Sequence, residues 1–301
     1  MNLTPSYMKL SDTGELQSRA ERMARMLKKC ALCPRACAVD RTSGELGECK
    51  AGAGIMVSNA FLHFGEEPPL VGMGGSGTIF LTHCNLRCVF CQNFHISHIG
   101  HGEEVGADEL ARMTLQLQAM GAQNINFVTP THYAPQIVEA VAIAAERGLQ
   151  LPIVWNCGGY ESLPVIRALE GIVDIYMPDI KFFDNDSSTR YMDAPNYPKV
   201  ARKVLKEMHR QVGPLELDQR GIARRGVLIR HLVMPDHKED TAAILKFIAG
   251  ELSPDSYVNI MEQYNPAWRS HEFEEINRRI THAEWEEARN MARELGLSRG
   301  F

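Results

Sequence analysis

The sequence predicts an α/β fold in which parallel strands are covered by helices, and three observations predict it. From about residue 77, short apolar runs alternate six times with longer segments of helical periodicity. Those runs are continuous in Val, Ile and Phe, as strands buried on both faces are. Polar, reactive residues follow the runs, where parallel α/β folds collect their chemistry. A doubly wound open sheet and a partial barrel both satisfy these observations.

The elements follow in order. Residues 15–29, ELQSRAERMARMLKK, carry apolar and charged positions at helical spacing and lead into a stretch rich in Cys, Pro, Gly and Arg. Strands are expected at 78–82, 124–129, 152–156, 173–177, 226–233 and 257–262. Helices are expected between them at 107–121, 134–148, 161–170, 197–212 and 238–251, with a last one at 282–296. The polar stretch 184–196, DNDSSTRYMDAPN, reads as an exposed loop. At the strand ends stand His83 and Cys84, Thr131 and His132, Asn156 and Cys157, Asp179 and Lys181, Arg230 and His231, and Gln263 and Tyr264. All six strands thus aim polar groups at one rim.

The chain has 301 residues and is 45% hydrophobic, enough for a sizeable core and too apolar for a disordered chain. Its 32 Lys and Arg against 37 Asp and Glu give a net charge of -5, which argues against a nucleic-acid partner. No apolar run approaches the roughly 18 to 20 residues that cross a bilayer, and MNLTPSYMKLSDTGELQ has no signal-peptide core. A cytoplasmic protein without a membrane partner is expected. Eight cysteines in such a chain point to metal or redox chemistry rather than disulfides. Cys30, Cys33, Cys37 and Cys49 form one group and Cys84, Cys88 and Cys91 another. Cys157 stands alone and reads as a small buried apolar residue.

In THCNLRCVFCQN, Cys84, Cys88 and Cys91 are spaced C-x3-C-x2-C. Three thiolates on so short a loop can face three irons of one cubane and leave the fourth open to a small molecule. A structural zinc site completed by His83 is the competing reading.

This motif after the first strand, with Phe90 just before its last cysteine, resembles the radical S-adenosylmethionine superfamily. The resemblance implies a partial (β/α)6 barrel, here residues 72–301, behind an N-terminal cysteine-rich cap of residues 1–71. It also implies a [4Fe-4S] cluster on Cys84, Cys88 and Cys91, with Phe90 near the adenine of S-adenosylmethionine. In that superfamily the reduced cluster cleaves the cofactor to methionine and a 5'-deoxyadenosyl radical that removes a hydrogen atom from the substrate.

Asp179 and Lys181 resemble the D-x-K element of the enzymes that activate glycyl radical enzymes. Arg230 resembles their fifth-strand arginine, which approaches the cofactor's carboxylate. The bland readings are a capping Asp, a solvated Lys and a surface Arg. The pyruvate formate-lyase activating enzyme-like branch also carries an N-terminal C-x2-C-P-x2-C element, matched by Cys30, Cys33 and Cys37. There is a departure: the family's Gly-Gly-Glu-Pro after the second strand is replaced by Val128-Thr129-Pro130-Thr131-His132-Tyr133. Thr129, Thr131, His132 and Asn156 are candidates for the lost contact, and Thr131 alternatively caps the next helix.

The four-cysteine group suits a second, closed [4Fe-4S] cluster or a zinc ion. Glu66 and Glu67 are read as a solvated pair, with cofactor ribose or substrate as the alternative. Gln263 and Tyr264 are candidates to line the pocket. The leading functional expectation is a glycyl radical enzyme activase served by flavodoxin or ferredoxin. A radical enzyme acting on a peptide or small metabolite is the sister reading, and a zinc-stabilised binding or scaffold module is the reading from another class.

Overall fold

The computed structural model describes residues 4–301. Helices α1 (Tyr7–Asp12) and α2 (Glu15–Ala24) run into a 3-10 turn, Arg25–Lys29, and then the four-cysteine stretch. The chain continues as β1 (Ile55–His63), α3 (Pro68–Val71), β2 (Ser76–Leu81), α4 (Phe94–Ser97), β3 (Glu103–Val105), α5 (Ala107–Ala119), β4 (Ile125–Val128), α6 (Ala134–Glu146), β5 (Ile153–Cys157), α7 (Leu163–Ala168) and β6 (Ile175–Pro178). It closes with α8 (Asn185–Met192), α9 (Tyr197–Val212), β7 (Glu216–Leu217), β8 (Ala223–Leu232), α10 (Lys238–Phe247), β9 (Tyr257–Met261) and α11 (His282–Glu294).

β2, β4, β5, β6, β8 and β9 are joined in that order by parallel ladders, which are the six expected strands. Helices cover their outer face, so the mixed α/β sheet is a partial barrel. The outward residues Ile79, Phe127, Trp155 and Ile229 pack with α5 and α6 side chains such as Leu110 and Ile137 in the main core. Because side chains alternate along a strand, Phe80, Val128 and Asn156 form one inward row in register, and Thr78, Asn126, Val154 and Ile175 form the row below. Leu70 of α3 is fully buried against Val154, Ile175, Met177 and Leu228 and so plugs the lumen.

Short elements such as α1, α3, α4, β3 and β7 were not expected, and two larger differences bear on the site. The stretch read as an exposed loop contains α8, because the Asp184 side chain accepts the Ser187 N–H as an N-cap and Tyr191 and Met192 are buried on the inner face. A local cap and two large apolar contacts outweigh a polar composition. The strand β1 carried no clear signal, since its middle is exposed and its apolar run is broken by Ser58-Asn59. It pairs antiparallel with β2, so hydrogen bonds cross the expected boundary at residues 71 and 72 and tie the cap region into the barrel sheet. No helix among the described residues is long and apolar enough to cross a membrane.

Candidate active site

After β2 the backbone turns through His83, in the left-handed region at φ 64°, into the three-cysteine loop. The loop hangs on α8: the N–H groups of Arg87 and Val89 donate to the carbonyls of Met192 and Tyr191 at 3.1 and 2.9 Å. Asn85 Nδ2 donates to the Tyr160 carbonyl at 2.6 Å. Backbone N–H groups already address sulfur, as Leu86 N lies 3.4 Å from Cys84 Sγ. Burial raises all three thiols, Cys84 to about 11, and the charge of Lys181 opposes that rise at each of them. Buried thiols that resist ionisation, with donors aimed at sulfur, fit a group that brings positive charge of its own. His83 turns away, its ring lying against Gly100. Among the described residues no three His, Cys, Asp or Glu side chains converge to hold a single ion. A mononuclear zinc would need sulfurs about 2.3 Å from one point, whereas a cubane spreads its ligands.

Beside the thiols runs a row of partly buried charges. Lys181 Nζ lies 2.7 Å from Asp179 Oδ2, and Arg230 Nε lies 2.9 Å from Asp179 Oδ1. Arg230 Nη2 donates to Asn156 Oδ1 at 2.7 Å. A backbone bond from Ile180 N to the Arg230 carbonyl carries the β6–β8 alignment past the strand end and sets these residues side by side. Burial alone would raise the Asp179 carboxyl, but Arg230 and Lys181 overcome it and hold it below its ordinary value. The side chains of Lys181 and Arg230 are only 16% and 18% exposed, so neither the solvated-Lys nor the surface-Arg reading holds. The row opens on a cleft of ≈ 540 Å³ at the barrel mouth, lined by Phe80, Val128, Asn156, Arg230, Asn259 and Gln263 among others.

Asn156 and Arg230 therefore line the cleft, Asp179 stands one bond behind and Lys181 two. Phe90 is buried beneath the loop, 6.1 Å between ring centroids from both Phe182 and Tyr264. Thr131 goes elsewhere. It is buried, makes no cap bond, and donates to Glu161 Oε1 at 2.6 Å behind the strands. His132 is likewise buried, bonded to the Thr82 carbonyl at 2.8 Å, and burial drives its pKa down to about 3. His231 points outward to the Ile180 carbonyl and Thr241. Tyr264 is buried with its hydroxyl on the Ile276 carbonyl, leaving Gln263 at the cleft. Cys157 is buried, as expected. Glu66 and Glu67 do not form a solvated pair: their side chains are 8% and 6% exposed, because the turn into α3 carries them inside the barrel. Sequence reasoning also passed over Asn126 and Asn259, whose strand positions alone could have suggested inward side chains.

In the cap, the charges of Cys33, Cys37, Cys49 and Cys30 act on one another, which gathers the four thiols into one group. Burial raises Cys33 to about 12 and raises Cys49. Arg35, between Cys33 and Cys37, donates from Nε to the Asn85 carbonyl at 2.6 Å and from Nη2 to the Asp193 carbonyl at 2.9 Å. The two cysteine groups thus meet at one side chain. Buried Arg41 fixes the cap to the barrel by donating to the His132 carbonyl at 2.6 Å.

Six parallel strands with a compact three-thiol loop at their carboxyl rim define an α/β partial-barrel protein organised around a thiolate site. The sequence profile of the Radical SAM superfamily matches residues 78–248, more than half of the chain. The uncharacterized protein MJ0674 of Methanocaldococcus jannaschii is 32% identical over 292 residues, 94% of this chain and 79% of that protein. A second uncharacterized protein of the same organism, MJ0808, is 24% identical over 80% of this chain and 72% of its own length. The chain belongs to the radical SAM superfamily, and membership implies a [4Fe-4S] cluster and S-adenosylmethionine. Among solved structures, Streptococcus suis SuiB is similar to it, in crystals bound to precursor peptide SuiA or to S-adenosylmethionine. TM-scores are 0.48 in both cases, with 11% and 12% identity over 73% and 71% of this chain. The chain spans less than half the length of SuiB, 46% and 45%.

Proposed function

We propose that this protein cleaves S-adenosylmethionine reductively at a [4Fe-4S] cluster on Cys84, Cys88 and Cys91 and directs the radical at a polypeptide, with glycyl radical enzyme activation as the leading form. The carrying observation is the partly buried row Lys181, Asp179, Arg230 that leads from the thiols to the cleft. When bound, cluster and cofactor together supply the electron transfer and the 5'-deoxyadenosyl radical. Arg230, fixed by Asp179 and Asn156, would hold the cofactor's carboxylate by a charge-assisted bond. Lys181 offsets thiolate charge, and Phe90 with Phe182 and Tyr264 forms an apolar backing that excludes water from the loop.

An apolar lip supports a polypeptide target. Phe61 is 40% exposed and stacks on the cleft residue Phe80 at 5.7 Å between ring centroids. The same lip supports modification of a peptide as the second reading. The cap group is read as an auxiliary [4Fe-4S] cluster, supported by the gathering of its four thiols and by the Arg35 contact to the three-cysteine loop, with flavodoxin or ferredoxin as electron donor.

Anaerobic reconstitution tests the metal content first. About eight irons per chain are expected for two cubanes. A colourless protein with stoichiometric zinc would sink the radical chemistry. With reconstituted protein, 5'-deoxyadenosine should form only when a glycyl radical enzyme is added; equal formation without any protein partner would remove the activase reading.

A further inference from the structure

Glu66 and Glu67 are the part of the cleft that the cofactor reading leaves unexplained. They sit directly before the Pro68–Val71 plug, so their carboxylates lie inside the lumen. Partners are few. Glu67 Oε1 accepts from Asn259 Nδ2 at 3.1 Å and lies 3.9 Å from Arg230 Nη1, a guanidinium already engaged by Asp179 and Asn156. Glu66 Oε1 lies 3.4 Å from His63 Nδ1. Beyond these contacts, Glu67 Oε2 has no hydrogen-bond partner among the described residues. Neither do Nδ2 and Oδ1 of Asn126, which is fully buried in the row beneath the cleft. Asn126 stands beside Glu66.

An unpaired buried acceptor keeps an uncompensated desolvation cost, which a ligand that supplied N–H donors to it would recover. The acceptors that line the cleft are the two Glu66 oxygens and Glu67 Oε2, three in number, which matches the three N–H bonds of a primary ammonium. Burial, with Glu67 adding to it against the pull of Arg230, holds Glu66 up at about 7, so the pair lacks a full counter-charge. No three acidic or histidine ligands converge on one point there, which disfavours a metal ion. The pair also stands apart from the cysteine loop. The thiols feel Lys181 and Asp179, whereas the glutamates act on Arg230, at the far end of the row.

We infer that Glu66 and Glu67, with Asn126 behind Glu66, form a receptor for a protonated primary amine carried by the molecule modified in the cleft. This rests on the reading of the cleft as the radical site, and it narrows the target to an amine-bearing one such as a lysine side chain or a free amino terminus. The test is equilibrium binding to the anaerobic holoprotein of Nα-acetyl-lysinamide and of its neutral Nε-acetylated counterpart, each with and without saturating S-adenosylmethionine. The charged probe should bind about tenfold or more tightly than the neutral one, and should do so alongside S-adenosylmethionine. Glu66→Gln and Glu67→Gln should each weaken the charged probe by a similar factor, with folding checked by circular dichroism. Equal affinity for the two probes overturns the receptor, and so does unchanged affinity in both folded variants. Competition by S-adenosylmethionine would assign the amine to the cofactor and overturn the assignment to the target. If a variant fails to fold, the two probes on the native chain still decide. A protein that binds the charged probe yet never cleaves S-adenosylmethionine would sink the radical reading alone.

Discussion

Thr129 ends β4 in the left-handed region at φ 59°. A β-branched side chain occupies that region at a cost of about 1 to 3 kcal/mol. It lies in the stretch that stands in place of the family's Gly-Gly-Glu-Pro, and its backbone makes a turn of the kind glycine favours. Thr129→Gly is expected to raise the melting temperature by a few degrees, about 2 to 4 °C per kcal/mol in a chain of this size, as read by differential scanning calorimetry. A drop would mean that the threonine side chain makes a contact worth more than the strain. A second residue effect concerns pH. Burial raises the Glu161 carboxyl to about 7 despite its bonds from Thr131 and Trp155. A carboxyl whose folded value lies above its unfolded one binds more protons in the folded state. Its contribution therefore favours folding at low pH and is lost as pH rises from the ordinary carboxyl range through about 7. Glu161→Gln should flatten that fall, on the order of 3 kcal/mol, in urea titrations at pH 5 and 7.5. At this scale the sequence was most legible for cysteines, because ligand chemistry depends on residue type at short spacing. It was least legible for Glu66 and Glu67, because their burial depends on Leu70 entering a lumen made by distant strands.

Helix α8 shows how a supporting element reaches the site. Its last carbonyls hold the N–H groups of Arg87 and Val89, so its stability is passed to the cysteine loop. Asp184→Ala removes the N-cap and should cost about 1 kcal/mol. The expected outcome is a lower melting temperature together with less iron retained per chain after desalting; full iron content in a destabilised variant would uncouple helix from loop. The sequence hid this helix behind polar residues that serve as cap and solvent face, and only the buried pair Tyr191 and Met192 spoke for it. The parallel strands and the helices between them were legible because their periodicity reports burial on two faces. The strand β1, paired between β2 and the short β3, was not, since its middle faces solvent.

Across the whole molecule, the meeting of the two cysteine groups was invisible in sequence, since 50 positions separate Arg35 from the Asn85 carbonyl it bonds. Their separate identities predict separable losses. Cys88→Ala should abolish S-adenosylmethionine cleavage, whereas Cys33→Ala should leave part of it, measured as 5'-deoxyadenosine formed under dithionite. Equal abolition would make the two groups one functional unit. The Arg35 tie has an evolutionary consequence. Two of its contacts are to main-chain carbonyls, those of Asn85 and Asp193. A main-chain carbonyl is present whatever residue carries it, so those positions can drift without breaking these two bonds, while the guanidinium at position 35 cannot be exchanged for a shorter or singly pronged cation. The junction is constrained from one side only, and descendants of this chain can revise the three-cysteine loop more freely than the cap that grips it.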